Sequence, residues 1–317
     1  MPRGPGTYNR ASADRSTRAG EQRTLNTNET AANAESPVIE RVLVVGAGTM
    51  GSGIAQVIAQ ASIRTTLTDA DTVSLERGLA AIASRWERQA ATGRCSAQDA
   101  AGFNANLSPG TIADAARVDL VIEAIIENLE AKTSLFRELA TIAPPPTLFA
   151  SNTSSISIST LGRASGRPDR VLGLHFFNPV PVLPPVEIVR GLETSDRTLA
   201  ASVSFVEAIG KTPIVVSDSP GFVANRVLLP MINEAIFALQ DGVAPKESID
   251  DVIKLGMSHP MGPLALADLI GLDICLDILE TLHRDFGDDK YRPAPLLRRM
   301  VGAGKLGHKT GMGFYEY

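Results

Sequence analysis

The sequence predicts an α/β, Rossmann-type doubly wound sheet followed by an all-helical C-terminal domain, on three observations. A β-rich run, Arg41 to Val45, meets the glycine turn Gly46-Ala47-Gly48-Thr49-Met50-Gly51 and then a helical pattern to Gln60. Short apolar runs alternate with amphipathic helical stretches as far as Val216, the rhythm of parallel strands joined by crossover helices. From Pro220 the alternation stops and helical periodicity takes over.

The chain as a whole narrows the function class. Its 317 residues suffice for one or two domains, and 44% hydrophobic content fits a folded soluble protein. Thirty Lys+Arg against 35 Asp+Glu leave a net charge of -5, with no basic block beyond the tail arginines, so neither nucleic acid nor a membrane surface is expected as a partner. No apolar run approaches the roughly 18 residues of a membrane span. Cys95 and Cys275 stand in unrelated contexts, which predicts no disulfide and no metal cluster and fits a reducing cytoplasm. Residues 1–36 are nearly devoid of large apolar side chains and are expected to be a disordered extension. Asp14 and Glu21 interrupt its arginines and no apolar segment follows, so neither a transit peptide nor a secretory signal is expected.

The elements follow in order. Gly46 permits a tight turn, Gly48 lets the backbone approach a pyrophosphate, and Gly51 lets the helix pack close to the strand. The helix start at Thr49 and Met50 adds unpaired N–H groups for phosphates. Arg64 to Thr68 forms the second strand and ends at Asp69, 23 residues after Gly46. A carboxylate at that spacing binds both ribose hydroxyls and repels a 2'-phosphate, so NAD is favoured over NADP. Residues 73–92 predict a long helix with Arg77, Arg85 and Arg88 off its apolar stripe, and 96–102 a short return helix. A strand over 119–123 leaves the sheet edge through residues 124–128, where cofactor contacts gather. Leu129–Ile142 is helical, and Pro144-Pro145-Pro146 breaks it before a strand over 147–150.

Ser151-Asn152-Thr153-Ser154-Ser155 then places five small polar groups at the carboxyl edge of the sheet. They are either N-caps for a helix over 157–164 or contacts to substrate and cofactor. A strand over 171–174 delivers His175 just beyond its end, one over 186–189 carries Glu187, and one over 212–216 closes the first domain. The boundaries expected are 37–218 for the nucleotide domain and 219–317 for a helical domain, with helices over 221–239, 245–255, 264–282 and 293–301. The apolar faces of those helices exceed what a lone bundle needs, which predicts dimerisation.

Hydride exchange with an alcohol carbon requires a group that moves the hydroxyl proton, and histidine titrates nearest neutrality. His175 is one of four histidines, and Glu187, twelve residues on, is the carboxylate that can hold its other ring nitrogen. Asn178, stiffened by Pro179, Pro181, Pro184 and Pro185, faces either a substrate carbonyl or the nicotinamide carboxamide. Asn225 is the polar exception at the start of the helical domain, placed to reach the same cleft.

Taken together, GAGTMGSGIAQ, VIEAIIEN, FASNTSS, GLHFFNPVPV, VEIV, PGFVANR, HPMGPLALAD and KTGMGFYEY resemble the short-chain L-3-hydroxyacyl-CoA dehydrogenases, including bacterial 3-hydroxybutyryl-CoA dehydrogenases, over residues 38–317. The resemblance implies a reversible reaction of an L-3-hydroxyacyl-CoA with NAD, with His175 as base and Glu187 as its partner. It also implies that Ser154 and Asn225 bind the substrate oxygens with Asn178 nearby. Asp69 would bind the adenosine ribose, Glu127 and Lys132 would lie around the nicotinamide end, and the helical domain would form a homodimer; Asn152, of the polar cluster, is a further cofactor-binding candidate.

Two departures keep other substrates open. Leu183-Pro184-Pro185 stands where the family commonly reads Met-x-Leu, and the basic residue expected near the end of the long helix for the CoA phosphates has Arg85, Arg88 or Arg94 as candidate replacements. An acyl carrier protein thioester, a free hydroxy or sugar acid such as L-gulonate, and a catalytically silent dinucleotide-binding protein are the alternatives. The intact His175, Glu187 and Ser154 argue against the last.

Overall fold

The computed structural model describes residues 38–317, so the expectation for residues 1–36 lies outside it. Among the described residues eight strands form one sheet: β1 Arg41–Val45, β2 Arg64–Thr68, β3 Leu107–Pro109, β4 Leu120–Glu123, β5 Leu148–Ser151, β6 Val171–Phe176, β7 Pro185–Arg190 and β8 Thr212–Ser217, in the order β3-β2-β1-β4-β5-β6-β7-β8. Around the sheet lie α1 Thr49–Gln60, α2 Thr72–Ala91, α3 Ala97–Ala105, α4 Leu129–Ile142, α5 Ile158–Ser165 and α6 Asp196–Ala208. The C-terminal part holds α7 Ala224–Gln240, α8 Lys246–Asp251, α9 Pro263–Ile270, α10 Leu272–Phe286 and α11 Pro295–Gly302.

The strand order reverses between β1 and β4, and there the carboxyl ends of adjacent parallel strands open a crevice. Val42, Val44, Ile54 and Ile58 pack into one sheet-face core, whereas Leu43, Val121, Phe136 and Phe149 pack into the other. The helical part has its own core around Leu229, Ile232, Leu264 and Leu279.

The sheet is not wholly parallel, contrary to the sequence expectation. β7 runs antiparallel to β6, and β8 is parallel to β7. The physical reason is the short, proline-rich link after Phe176, which cannot carry the dozen or more residues of a parallel crossover. His175, expected just beyond its strand, lies inside β6 and in register with Glu187.

Other differences have local causes. β3 and α6 were not expected. β3 is a three-residue edge strand with little to bury, whereas α6 does carry a readable signal, a Ser195 N-cap before an apolar face containing Ala201, Phe205 and Val206. The N-cap of α5 is Ser157 itself, which accepts from Thr160 N, and not a member of the 151–155 cluster. The helix expected over 264–282 is divided at Gly271, whose φ of 105° an α-helix cannot continue through. α7 starts at Ala224 rather than residue 221, after a turn with positive φ at Gly221 and Phe222.

Candidate active site

The glycine turn follows β1 at the reversal of strand order. Gly46 has φ 106°, and a Cβ there would stand 2.4 Å from the Ala124 carbonyl oxygen; a Cβ on Gly51 would stand 1.7 Å from that of Gly46. Both close approaches exclude any side chain. Gly48, at the N-cap of α1, meets open space and supplies no side-chain cap, so the dipole end of α1 is left for an anion. Asp69, at the end of β2, accepts from Ala47 N at 2.7 Å and from Asp71 N at 3.0 Å. Its carboxylate is therefore fixed beside the turn. An open phosphate cradle with a neighbouring carboxylate fits a dinucleotide with an unmodified ribose.

At the same edge of the sheet, His175 and Glu187 face each other across β6 and β7 with Nδ1 2.7 Å from Oε2. His175 is 6% exposed and Glu187 3%, and Phe177 and Phe222 pack beside the ring. A carboxylate accepts from Nδ1–H, which in the neutral imidazole leaves Nε2 as the acceptor. Ser154 Oγ stands 3.1 Å from that nitrogen and donates to it in this tautomer. The other oxygen, Oε1 of Glu187, accepts from Val223 N at 3.1 Å and Ala224 N at 3.0 Å, at the start of α7. Burial pushes the Glu187 carboxyl up, but the His175 hydrogen bond, the Ala224 N–H, the His175 charge and the Val223 N–H together hold it below its ordinary value.

The polar segment after β5 folds around Glu127. Oε1 of Glu127 accepts from Thr153 Oγ1 at 2.5 Å, Ser154 N at 3.0 Å, Ser155 N at 3.1 Å and Ser155 Oγ at 2.9 Å. Asn225 Nδ2 donates to Ser154 O at 3.2 Å from the first turn of α7. Asn152 Oδ1 accepts from Phe176 N at 2.9 Å, joining the end of β5 to the end of β6. Met50, Glu127, Asn152 and Ser154 line one side of a cleft of about 610 Å³, and Asp277, Thr281 and Arg284 of α10 line the other. Lys132 is 1% exposed and directed to Glu123 and Glu127 rather than open to this cleft.

Asn178 stands apart from that group. With Thr49 it lines a cavity of about 500 Å³ that Arg85, Arg88 and Arg94 also line. Thus the structure brings together His175, Glu187, Ser154 and Asn225 on one side, and Asn178 with the three arginines on another. Sequence reasoning missed Gln56 and Glu123. Gln56 is fully buried, receives Arg85 Nη1 on its Oε1 at 2.7 Å, and keeps its Nε2 without a hydrogen-bond partner at the same cavity. Glu123 is a fully buried carboxylate at the end of β4, and its signal was an acid closing an otherwise apolar strand. Among the described residues, no group of His, Cys, Asp and Glu could hold a metal ion.

A phosphate cradle and a carboxylate-held histidine at one sheet edge supply what hydride exchange with an alcohol carbon asks of a protein: an anchored nicotinamide cofactor and a carrier for the hydroxyl proton. In class, then, the molecule is a nicotinamide-dependent dehydrogenase. Residues 41–219 match the family model for the NAD binding domain of 3-hydroxyacyl-CoA dehydrogenase, and residues 221–317 match that for its C-terminal domain. The chain belongs to the 3-hydroxyacyl-CoA dehydrogenase family and is an NAD-dependent enzyme. It is 51% identical to a probable 3-hydroxybutyryl-CoA dehydrogenase of Bacillus subtilis, over 88% of this chain and 98% of the relative. Human mitochondrial hydroxyacyl-coenzyme A dehydrogenase is 40% identical over 93% of this chain and 97% of its own. The solved structure of (S)-3-hydroxybutyryl-CoA dehydrogenase from Ralstonia eutropha is similar with a TM-score of 0.86 and 47% identity, covering 88% of this chain and 99% of that one.

Proposed function

We propose that the enzyme oxidises a short-chain L-3-hydroxyacyl-CoA, with 3-hydroxybutyryl-CoA as the leading candidate, reversibly to the 3-ketoacyl-CoA, and that His175 carries the proton. The observation that carries this reading is the placement of His175 between Glu187 at 2.7 Å and Ser154 at 3.1 Å, with Ser154 itself lining the cleft of about 610 Å³. The names of the Bacillus and Ralstonia relatives support the four-carbon acyl group.

When bound, NAD supplies the hydride acceptor. Nε2 of His175 takes the proton from the 3-hydroxyl, and Glu187 stabilises the imidazolium that results. Ser154 and Asn225 bind the substrate oxygens, with Ser154 turning its hydroxyl from His175 to the ligand. Asp69 selects NAD by repelling a 2'-phosphate. Glu127 and Asn152 line the nicotinamide half of the cleft, and Lys132 supports Glu127. Phe177 and Phe222 keep water from the ring of His175, which strengthens its pairing with Glu187.

The arginine cavity supports a phosphate-bearing carrier. Arg85, Arg88 and Arg94 converge there beside Asn178, whereas a free hydroxy acid or sugar acid would give those guanidinium groups no phosphate to bind. We place the cofactor domain at 37–218 and the substrate-binding and dimerisation domain at 219–317. Val227, Leu255, Met257 and Leu269, all more than half exposed, support self-association through the latter. The unpaired Cys95 and Cys275 fit a reducing compartment such as the cytoplasm, and among the described residues no helix is long and apolar enough to cross a membrane.

The test compares NADH oxidation with acetoacetyl-CoA, acetoacetyl carrier protein and free acetoacetate. The CoA thioester should give the highest kcat/KM; a higher value for the carrier protein or the free acid overturns the substrate assignment.

A further inference from the structure

Behind the turn that carries Ser154 lies a chain of charges that neither the phosphate cradle nor the histidine pair accounts for. Glu123 is fully buried, with Oε1 receiving Lys132 Nζ at 2.5 Å and Ile125 N at 2.7 Å, and Oε2 receiving Ser151 Oγ at 2.6 Å. Lys132 reaches Glu127 Oε2 at 3.3 Å and the Ile125 carbonyl at 3.4 Å with its remaining donors. An ammonium has three donors, so this one has none to spare for a ligand.

Glu127 passes the constraint on. Its other oxygen gathers four donors from residues 153–155. Against the opposing effect of burial, the Lys132 charge and the Thr153 and Ser155 hydroxyls, with the Ser154 N–H, hold the Glu127 carboxyl below its ordinary value. The turn so formed sets Ser154 Oγ against His175 Nε2.

Stability alone does not account for such an arrangement. An apolar pair of the same volume in place of Glu123 and Lys132 would serve the core as well or better, because two ions must be stripped of water to be buried. What an apolar pair cannot supply is a fixed cation beneath Glu127. We propose that Glu123 is a positioning residue of the catalytic apparatus: through Lys132 it fixes Glu127, and through Glu127 it sets the Ser154 turn against His175. Lys132 then acts on the site through Glu127. The inference rests on the roles given above to His175 and Ser154.

A double-mutant cycle on the full-length enzyme tests it, with NADH oxidation by acetoacetyl-CoA as the assay and rates normalised to NADH-binding sites so that misfolded protein drops out. Glu123→Gln keeps shape and removes the charge. It should lower kcat/KM about tenfold alone but less than about twofold when combined with Ser154→Ala, because the two act in series. The pH dependence of kcat/KM should also move in Glu123→Gln, whereas a role confined to folding would leave it in place. Glu127→Gln, on a side chain 42% exposed at the rim and read at saturating NADH because Glu127 also lines the cofactor cleft, provides a second cycle, with the same result expected. Equal fold losses in both backgrounds, for both variants, overturn the proposal while leaving the functional assignment standing. Failure of the unmodified enzyme to turn over acetoacetyl-CoA overturns the assignment and this inference with it.

Discussion

His175 and Glu187 are cross-strand partners in the antiparallel pair of β6 and β7, and the carboxylate that holds Nδ1 at 2.7 Å also binds the N–H groups of Val223 and Ala224 at the start of α7. One side chain therefore fixes the imidazole and ties the first helix of the C-terminal part to the sheet. The geometry follows from strand pairing. Directly opposed residues of an antiparallel pair point to the same face, so a twelve-residue separation in sequence becomes one hydrogen bond.

Glu187→Gln should separate these two duties. The amide oxygen can still accept from Val223 and Ala224, but the charge that favours imidazolium is gone, so kcat should fall about tenfold or more while NADH affinity holds. An equal loss of NADH affinity would place Glu187 in the cofactor site instead.

The same carboxylate gives a pH dependence of stability. Its folded-state pKa lies below its ordinary value, so its contribution is present above the ordinary carboxylate range and is lost as pH falls through the folded value. Chemical unfolding of Glu187→Gln should show lower stability than wild type near neutrality and a smaller difference in acid. A difference that grows on acidification would contradict this sign.

Much of this was legible in the chain, and the reasons are physical. Arg41–Val45 and Arg64–Thr68 could be read to the residue because the first runs into a glycine turn and the second follows a helix end and stops at Asp69. His175 and Glu187 stood out because charge is rare in apolar, proline-rich surroundings. The antiparallel turn of β7 was missed because strand direction depends on what the link can span, and a strand's own composition does not record it. Leu107–Pro109 and the break at Gly271 were missed for a related reason: a three-residue edge strand has almost no periodicity, and an isolated glycine inside an apolar helical pattern reads as tolerated. Glu123 was passed over because its partners, Lys132 and Ser151, are brought to it only by folding.

Asp69→Ala should narrow the preference for NAD over NADP by about tenfold or more, the scale of losing one hydrogen bond to a charged group. The measurement is the ratio of kcat/KM values for the two reduced cofactors. A wild-type enzyme that prefers NADPH would remove the basis for the ribose assignment.

Arg85→Ala removes a guanidinium that lines the cavity with Arg88, Arg94 and Asn178 and donates to the buried Gln56. If that cavity receives CoA phosphate, KM for acetoacetyl-CoA should rise about five- to tenfold with kcat little changed, the pattern of lost uniform binding. A truncated acetoacetyl thioester without phosphates should show no such rise. Equal effects on both substrates would place the contribution of Arg85 in local packing.

The most direct measurement is NADH oxidation by acetoacetyl-CoA with His175→Gln beside the wild type, under saturating cofactor. In the variant kcat should fall by about 10²-fold or more, the usual scale for losing general acid-base help, while NADH binding is unchanged. Turnover in the variant equal to that of the wild type would contradict the assignment of His175, and with it the mechanism built on its contact with Glu187.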